Sequence, residues 1–158
     1  MSAPARHPHK IRITVQSATT ARNVPPPYRI RQWARVALQG AANVTIRLVG
    51  NQEGRTLNRH YRNKDYATNV LTFVFREHAP LEGDIAICAP VITREARAQR
   101  KTVAAHYAHM VIHGLLHLQG YDHINDNDAT VMERLETKLL KRLGYPNPYR
   151  TPLDNGRA

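Results

Sequence analysis

The run His113-Gly-Leu-Leu-His117-Leu-Gln-Gly120-Tyr-Asp-His123 closes a mostly apolar stretch that begins near Val103. On a helix, residues four apart share a face about 6 Å apart along the axis, so the imidazoles of His113 and His117 can reach one ion. Gly120 lets the chain leave that helix through a left-handed residue. Three residues further on, His123 can swing back as a third ligand. Three protein ligands with an open fourth position describe a catalytic zinc site, whereas structural sites close with four, often cysteines. The stretch therefore predicts a metal-bearing helix over about 103–119. The rest of the chain must supply what it packs against.

Upstream, strands and helices alternate. Ile11, Ile13 and Val15 alternate as a short strand, and Ile30, Trp33, Ala34, Ala37 and Leu38 mark an amphipathic helix ended by Gly40. Val44, Ile46 and Leu48 form a second strand, and Asn51 is suited to cap a helix running to about Arg62. Asn69–Phe75 and Asp84–Cys88 read as a third and fourth strand. Only eight residues separate those two, too few for a helical crossover, so they should be antiparallel. The earlier strand–helix–strand unit has room for a parallel crossover. Helices follow near 91–100, 103–119 and 128–143, the last closed by Gly144 and Pro146. The expectation is an α+β fold: a small mixed four-stranded sheet packed with about five helices, one of them a zincin-like metal helix. Residues 10–145 read as one domain, with flexible tails at 1–9 and 146–158.

The 158 residues carry 23 Lys+Arg against 12 Asp+Glu, a formal net charge of +11. That surplus favours a polyanionic partner, either nucleic acid or an acidic membrane face. A single cysteine, Cys88, excludes a disulfide framework and fits a reducing compartment. No apolar run is long enough to cross a bilayer, and Met1–Lys10 does not read as a secretory signal, so a cytoplasmic protein with no membrane contact is expected.

Around the histidine run the chemistry narrows. The spacing matches that of the metzincin proteases, except that Gly114 stands where those enzymes carry their glutamate general base. Peptide hydrolysis needs that base, so a protease reading loses its key part. Three neutral imidazoles would leave an ion its full charge, which suits a phosphodiester, and with the net charge this points to nucleic acid. His106 is too far along the axis to share an ion with His113, while His109 can line a substrate path or orient a ligand. Asp84 and Asp122 can each orient an imidazole or serve a turn. Arg94, Arg97 and Lys101 share one face of the 91–101 helix and can contact RNA phosphates or simply face solvent. Cys88 reads as a small buried apolar residue.

The run HGLLHLQGYDH with AHMVIHG before it, LNRHYRNKDYATNVLTF (Leu57–Phe73), GDIAIC (Gly83–Cys88) and Gly144-Tyr145 together resemble the YbeY family of metal-dependent endoribonucleases. The resemblance spans roughly residues 43–149 and implies a zinc-dependent, single-strand-specific endoribonuclease of the bacterial cytoplasm. It implies a role in 16S rRNA 3′-end maturation and late ribosome quality control, with ribosome or small-subunit assembly intermediates as partners. The family's metal histidines fall on His113, His117 and His123, one Zn2+ per chain, and its functional arginine falls on Arg62. Chemically, a guanidinium suits that role, because it stays charged and offers a planar fork to phosphate oxygens. Thr72 and Val74 replace the family's usual serine and proline in the third strand. The residues leave two competing readings: a non-catalytic ribosome-assembly factor whose zinc is structural, and a metalloprotease. They also leave open whether water or the RNA 2′-hydroxyl attacks, and which imidazole-preferring metal is bound.

Overall fold

A computed structural model describes residues 10–122 and 125–150. Its elements, in chain order, are β1 (Ile11–Ala18), α1 (Pro27–Ala37), β2 (Ala42–Val49), α2 (Asn51–Arg62), β3 (Val70–Arg76), β4 (Leu81–Cys88), α3 (Ala89–Ala98), α4 (Val103–Leu118) and α5 (Asp126–Arg142). The sheet runs β1-β2-β4-β3, with β1–β2 and β2–β4 parallel and β3–β4 antiparallel. This is the expected mixed α+β architecture, with β1 and β3 at its two edges.

Strand periodicity divides β4 between two environments. Gly83, Ile85 and Ile87 face α4; Asp84, Ala86 and Cys88 face α2. Three close approaches fix the assignment. A Cβ added at Gly114 would lie 3.1 Å from Ile85 Cδ1 and 3.2 Å from Val70 Cγ2, and one at Gly83 would lie 2.9 Å from Leu118 Cδ2. On the other face, a Cβ at Gly54 of α2 would lie 3.1 Å from Cys88 Sγ. The β3 register continues the pattern, since Val70 pairs with Ile87, Thr72 with Ile85, and Phe73 with Asp84.

Helix α4 is apolar on nearly every side, which is the mark of an interior helix. It lies on β3 and β4 and is flanked by α1, α3 and α5. Thr102 caps its start by accepting from Ala105 N at 3.1 Å. Gly120, at φ +97°, takes the chain out of it as expected. No helix among the described residues is long and apolar enough to cross a membrane.

Several boundaries differ from the sequence reading, among them β4, which starts at Leu81 rather than Asp84. Helix α2 is capped by Gly50 without a side chain, so Asn51 is its first residue rather than its cap. Asn125 caps α5 by accepting from Asp128 N at 2.9 Å, starting that helix at Asp126. Helix α3 begins at Ala89, with a proline in its first turn, and stops at Ala98, leaving Lys101 outside it. Residues 146–150, expected within a loose tail, pack against the body. Lys101 Nζ donates to the Pro148 carbonyl, and Tyr149 reaches the helices as described next.

Candidate active site

The stripe of histidines on α4 is four deep: ring centroids lie 6.0 Å apart for His106–His109, 6.1 Å for His109–His113 and 4.6 Å for His113–His117. Glu136, from α5 packed alongside, is fully buried. Its carboxylate accepts from His113 Nδ1 at 2.9 Å, from His109 Nε2 at 2.5 Å and from Tyr149 Oη at 2.5 Å. Burial alone would push this carboxyl up, yet the imidazoles of His109 and His113 outweigh it and hold it at about 2. Burial pushes the His109 imidazole down, so it faces the carboxylate as a neutral ring. Burial and the neighbouring Glu136 charge push the Tyr149 phenol up and keep its proton on. Glu136 is thus an anion satisfied by three N–H or O–H donors, which is what a buried carboxylate needs.

This arrangement bears directly on whether the residues suit a metal. With Nδ1–H donated to Glu136, His113 carries its lone pair on Nε2, the tautomer in which an imidazole ligates. His109, His113 and Glu136 also bring one N or O atom each within 4.8 Å of one another, a cluster that could hold an ion itself only by giving up the hydrogen bonds that close it here. The donor set therefore fits a divalent cation.

The cleft beside these rings has a volume of about 1010 Å³. Helix α4 supplies His113 and His117 to its wall, α2 supplies Tyr61 and Arg62, β3 supplies Thr72, and Asp122 closes one end. Arg62 reaches the wall because α2 stops there: Asn63 is left-handed at φ 57° and turns the chain towards β3. The peptide stretch that resembles a protease motif is explained by packing. Gly114 sits where α4 presses on the sheet, and a glutamate there would enter Ile85 and Val70 rather than solvent.

The structure sorts the remaining expected site residues. His113, His117, Arg62 and Asp122 share the cleft. His109 lies behind it, buried and bonded to Glu136. His123 lies outside the described residues. Asp84 projects from the opposite face of the sheet, beside Thr45 and Arg47, and so cannot orient the imidazoles of α4. Arg94 and Arg97 are exposed on α3, away from the cleft wall. Lys101 is half-buried and tied to Pro148, so its charge serves the C-terminal segment instead of an exposed basic face. Glu136 and Tyr149 were missed. A signal existed for Glu136: it interrupts the buried stripe Met132, Leu139 and Leu140 of α5, a place where a lone carboxylate needs partners.

Comparison with known proteins places the chain in a family. The family profile described as Endoribonuclease YbeY matches residues 16–144. Endoribonuclease YbeY of Nitrosomonas eutropha is 58% identical over 87% of this chain and 97% of its own. The Nitrosomonas europaea protein of the same name is 54% identical over 90% of this chain and 87% of its own. Among solved structures, the solution structure of TM1509 from Thermotoga maritima is similar, with a TM-score of 0.57, 26% identity, and coverage of 84% of this chain and 88% of that one. With the match running from β1 to the end of α5, through every element that builds the cleft, the chain belongs to the Endoribonuclease YbeY family.

Proposed function

We propose that this protein is a zinc-dependent endoribonuclease that cuts single-stranded RNA, acting in the cytoplasm on 16S rRNA 3′ ends and late small-subunit assembly intermediates. Family membership supports the reaction class, and the net charge of +11 supports a polyanionic substrate. The observation that carries the reading is the pairing of His113 and His117 with Arg62 across one open cleft. In this proposal His113, His117 and His123 hold one Zn2+. When bound, such an ion lowers the pKa of a coordinated water towards about 7 and neutralises phosphoryl charge.

The chain's own residues do the rest. Arg62 clamps the phosphate from the opposite wall and steadies the charge that develops on it. Glu136 is a positioning residue: it fixes the rotation and tautomer of His113, and Tyr149 and His109 hold the carboxylate in place.

Elemental analysis of natively purified protein, run beside cleavage of a single-stranded RNA, tests the reading. About one zinc per chain is expected, and His117→Ala should lose metal and cleavage together. Arg62→Glu should keep its metal while cleavage falls by at least about 100-fold. Cleavage at the full rate by chelator-stripped protein would overturn the proposal, and zinc-loaded protein inert towards RNA would favour an assembly factor with structural zinc.

A further inference from the structure

On the far side of β3 from the histidines lies a second hollow of about 300 Å³, near the lower end of the range for small-ligand sites. Tyr61 and Phe73 belong to the walls of both hollows, so only the edge strand separates them. Their rings meet edge-on, with centroids 4.8 Å apart, and His60 packs edge-on against Tyr61 at 4.7 Å. Phe75, two residues along the same face of β3, is 68% exposed and Tyr61 is 60% exposed. Monomeric proteins rarely leave neighbouring aromatics this open without a use.

The surroundings have the chemistry of a nucleotide. Arg59 and Arg62 lie three apart along exposed α2, where Arg55 is already paired with Asp65, and Arg76 follows Phe75, so positive charge borders the aromatic shelf. Inside the hollow the groups are different: Thr45, Gln16, the Arg47–Glu53 ion pair and the Asp84 carboxylate, which accepts no hydrogen bond from the described residues. Arg47 is closed onto Glu53 and Gln16, so cations outside and the Asp84 acceptor within match a phosphate outside and a base edge within.

We propose that this hollow is a base-binding subsite, in which a nucleobase flanking the phosphate held at Arg62 crosses the β3 edge, stacks on Tyr61, Phe73 and Phe75, and donates to Asp84. The proposal rests on the endoribonuclease reading of the neighbouring cleft and adds to it a physical basis for choosing single strands. A base can stack here only after leaving a duplex, and aromatic stacking is indifferent to which base it is.

Fluorescence anisotropy with the full-length zinc-loaded protein tests this, using a 2′-O-methyl 12-nucleotide single strand and the same sequence as a duplex. Phe75 is exposed, so its replacement should not disturb folding. Phe75→Ala and Phe75→Leu should each weaken single-strand binding at least about fivefold, Phe75→Tyr should restore it, and duplex binding should stay within about twofold. Equal losses on strand and duplex, or full affinity in Phe75→Leu, would overturn the subsite. Sedimentation of Phe75→Ala and wild type covers the rival occupant: a wild-type dimer that the variant dissolves would assign the patch to a second copy. The reading beneath it fails separately, if wild type binds the strand with these preferences yet cleaves no RNA.

Discussion

Two carboxylate–imidazole pairs hang from the same helix and do different work. Near the start of α4, His106 Nε2 donates to Glu95 Oε1 of α3 at 2.9 Å, and the ring is buried away from the cleft. Two turns later, His113 Nδ1 donates to Glu136 Oε1 of α5 at the same distance, but this ring also forms part of the cleft wall. The local chemistry is alike. What differs is the other side of the ring: His106 meets packed protein, whereas His113 lines an open cleft together with His117 and Arg62. A carboxylate that orients a buried imidazole is therefore not itself a site. It becomes one where the fold leaves the opposite nitrogen an approach.

The spacing of α4 from the sheet decides where that opening falls, and Gly114 sets the spacing. Gly114→Glu should break the arrangement most severely. Its side chain would meet Ile85 and Val70 within 3.3 Å at the first carbon and bury a charge behind it. Overpacking and burial of an unpaired carboxylate together should cost more than about 3 kcal/mol, read by urea unfolding. A variant of wild-type stability that gained chelator-sensitive casein hydrolysis would show that the glycine is no packing device.

Next in size, Glu136→Gln keeps the shape of the second pair and removes its charge. Zinc affinity, measured by competition with a chromogenic chelator, should fall about 10- to 100-fold. Tyr149→Phe removes one of the three donors to that carboxylate and should produce a smaller loss in the same direction. Unchanged affinity in Glu136→Gln would mean that His113 needs no help in holding its orientation.

Much of this was legible in the sequence, and the omissions share a cause. The strands, the metal helix and the antiparallel β3–β4 pair follow from short-range signals: alternation in Ile11–Val15, four-residue spacing in His113 and His117, and the brevity of the link before Asp84. Gly120 could be read because a helix exit is local. Asp84 could not be placed correctly, because its side of the sheet depends on which helix covers which face. The Glu136 partnership joins residues 23 positions apart, and Tyr149 reaches it from a segment whose prolines suggest looseness. Lys101 failed for a related reason: a basic stripe drawn on an ideal helix takes no account of where that helix stops, at Ala98.

The smallest expected effect concerns the first pair and serves as the control for the second. The Glu95 carboxyl is held below its ordinary 4.5, first by the hydrogen bond from His106, against the cost of burial, with Asn69 Nδ2 adding a donor at 3.2 Å. A depressed carboxyl contributes stability that is complete above its unfolded value and fades as pH falls through its folded one. Wild-type protein should therefore lose an increment of about 1 kcal/mol between pH 5 and the low end of the carboxylate range that Glu95→Gln does not lose. Urea unfolding across that range measures the difference, and superimposable pH profiles would contradict it. In Glu95→Gln zinc affinity should stay at the wild-type value, because His106 carries no metal. If it fell as far as in Glu136→Gln, the stripe of imidazoles on α4 would have to act as one coupled unit, and the distinction between a packed pair and a working one would disappear.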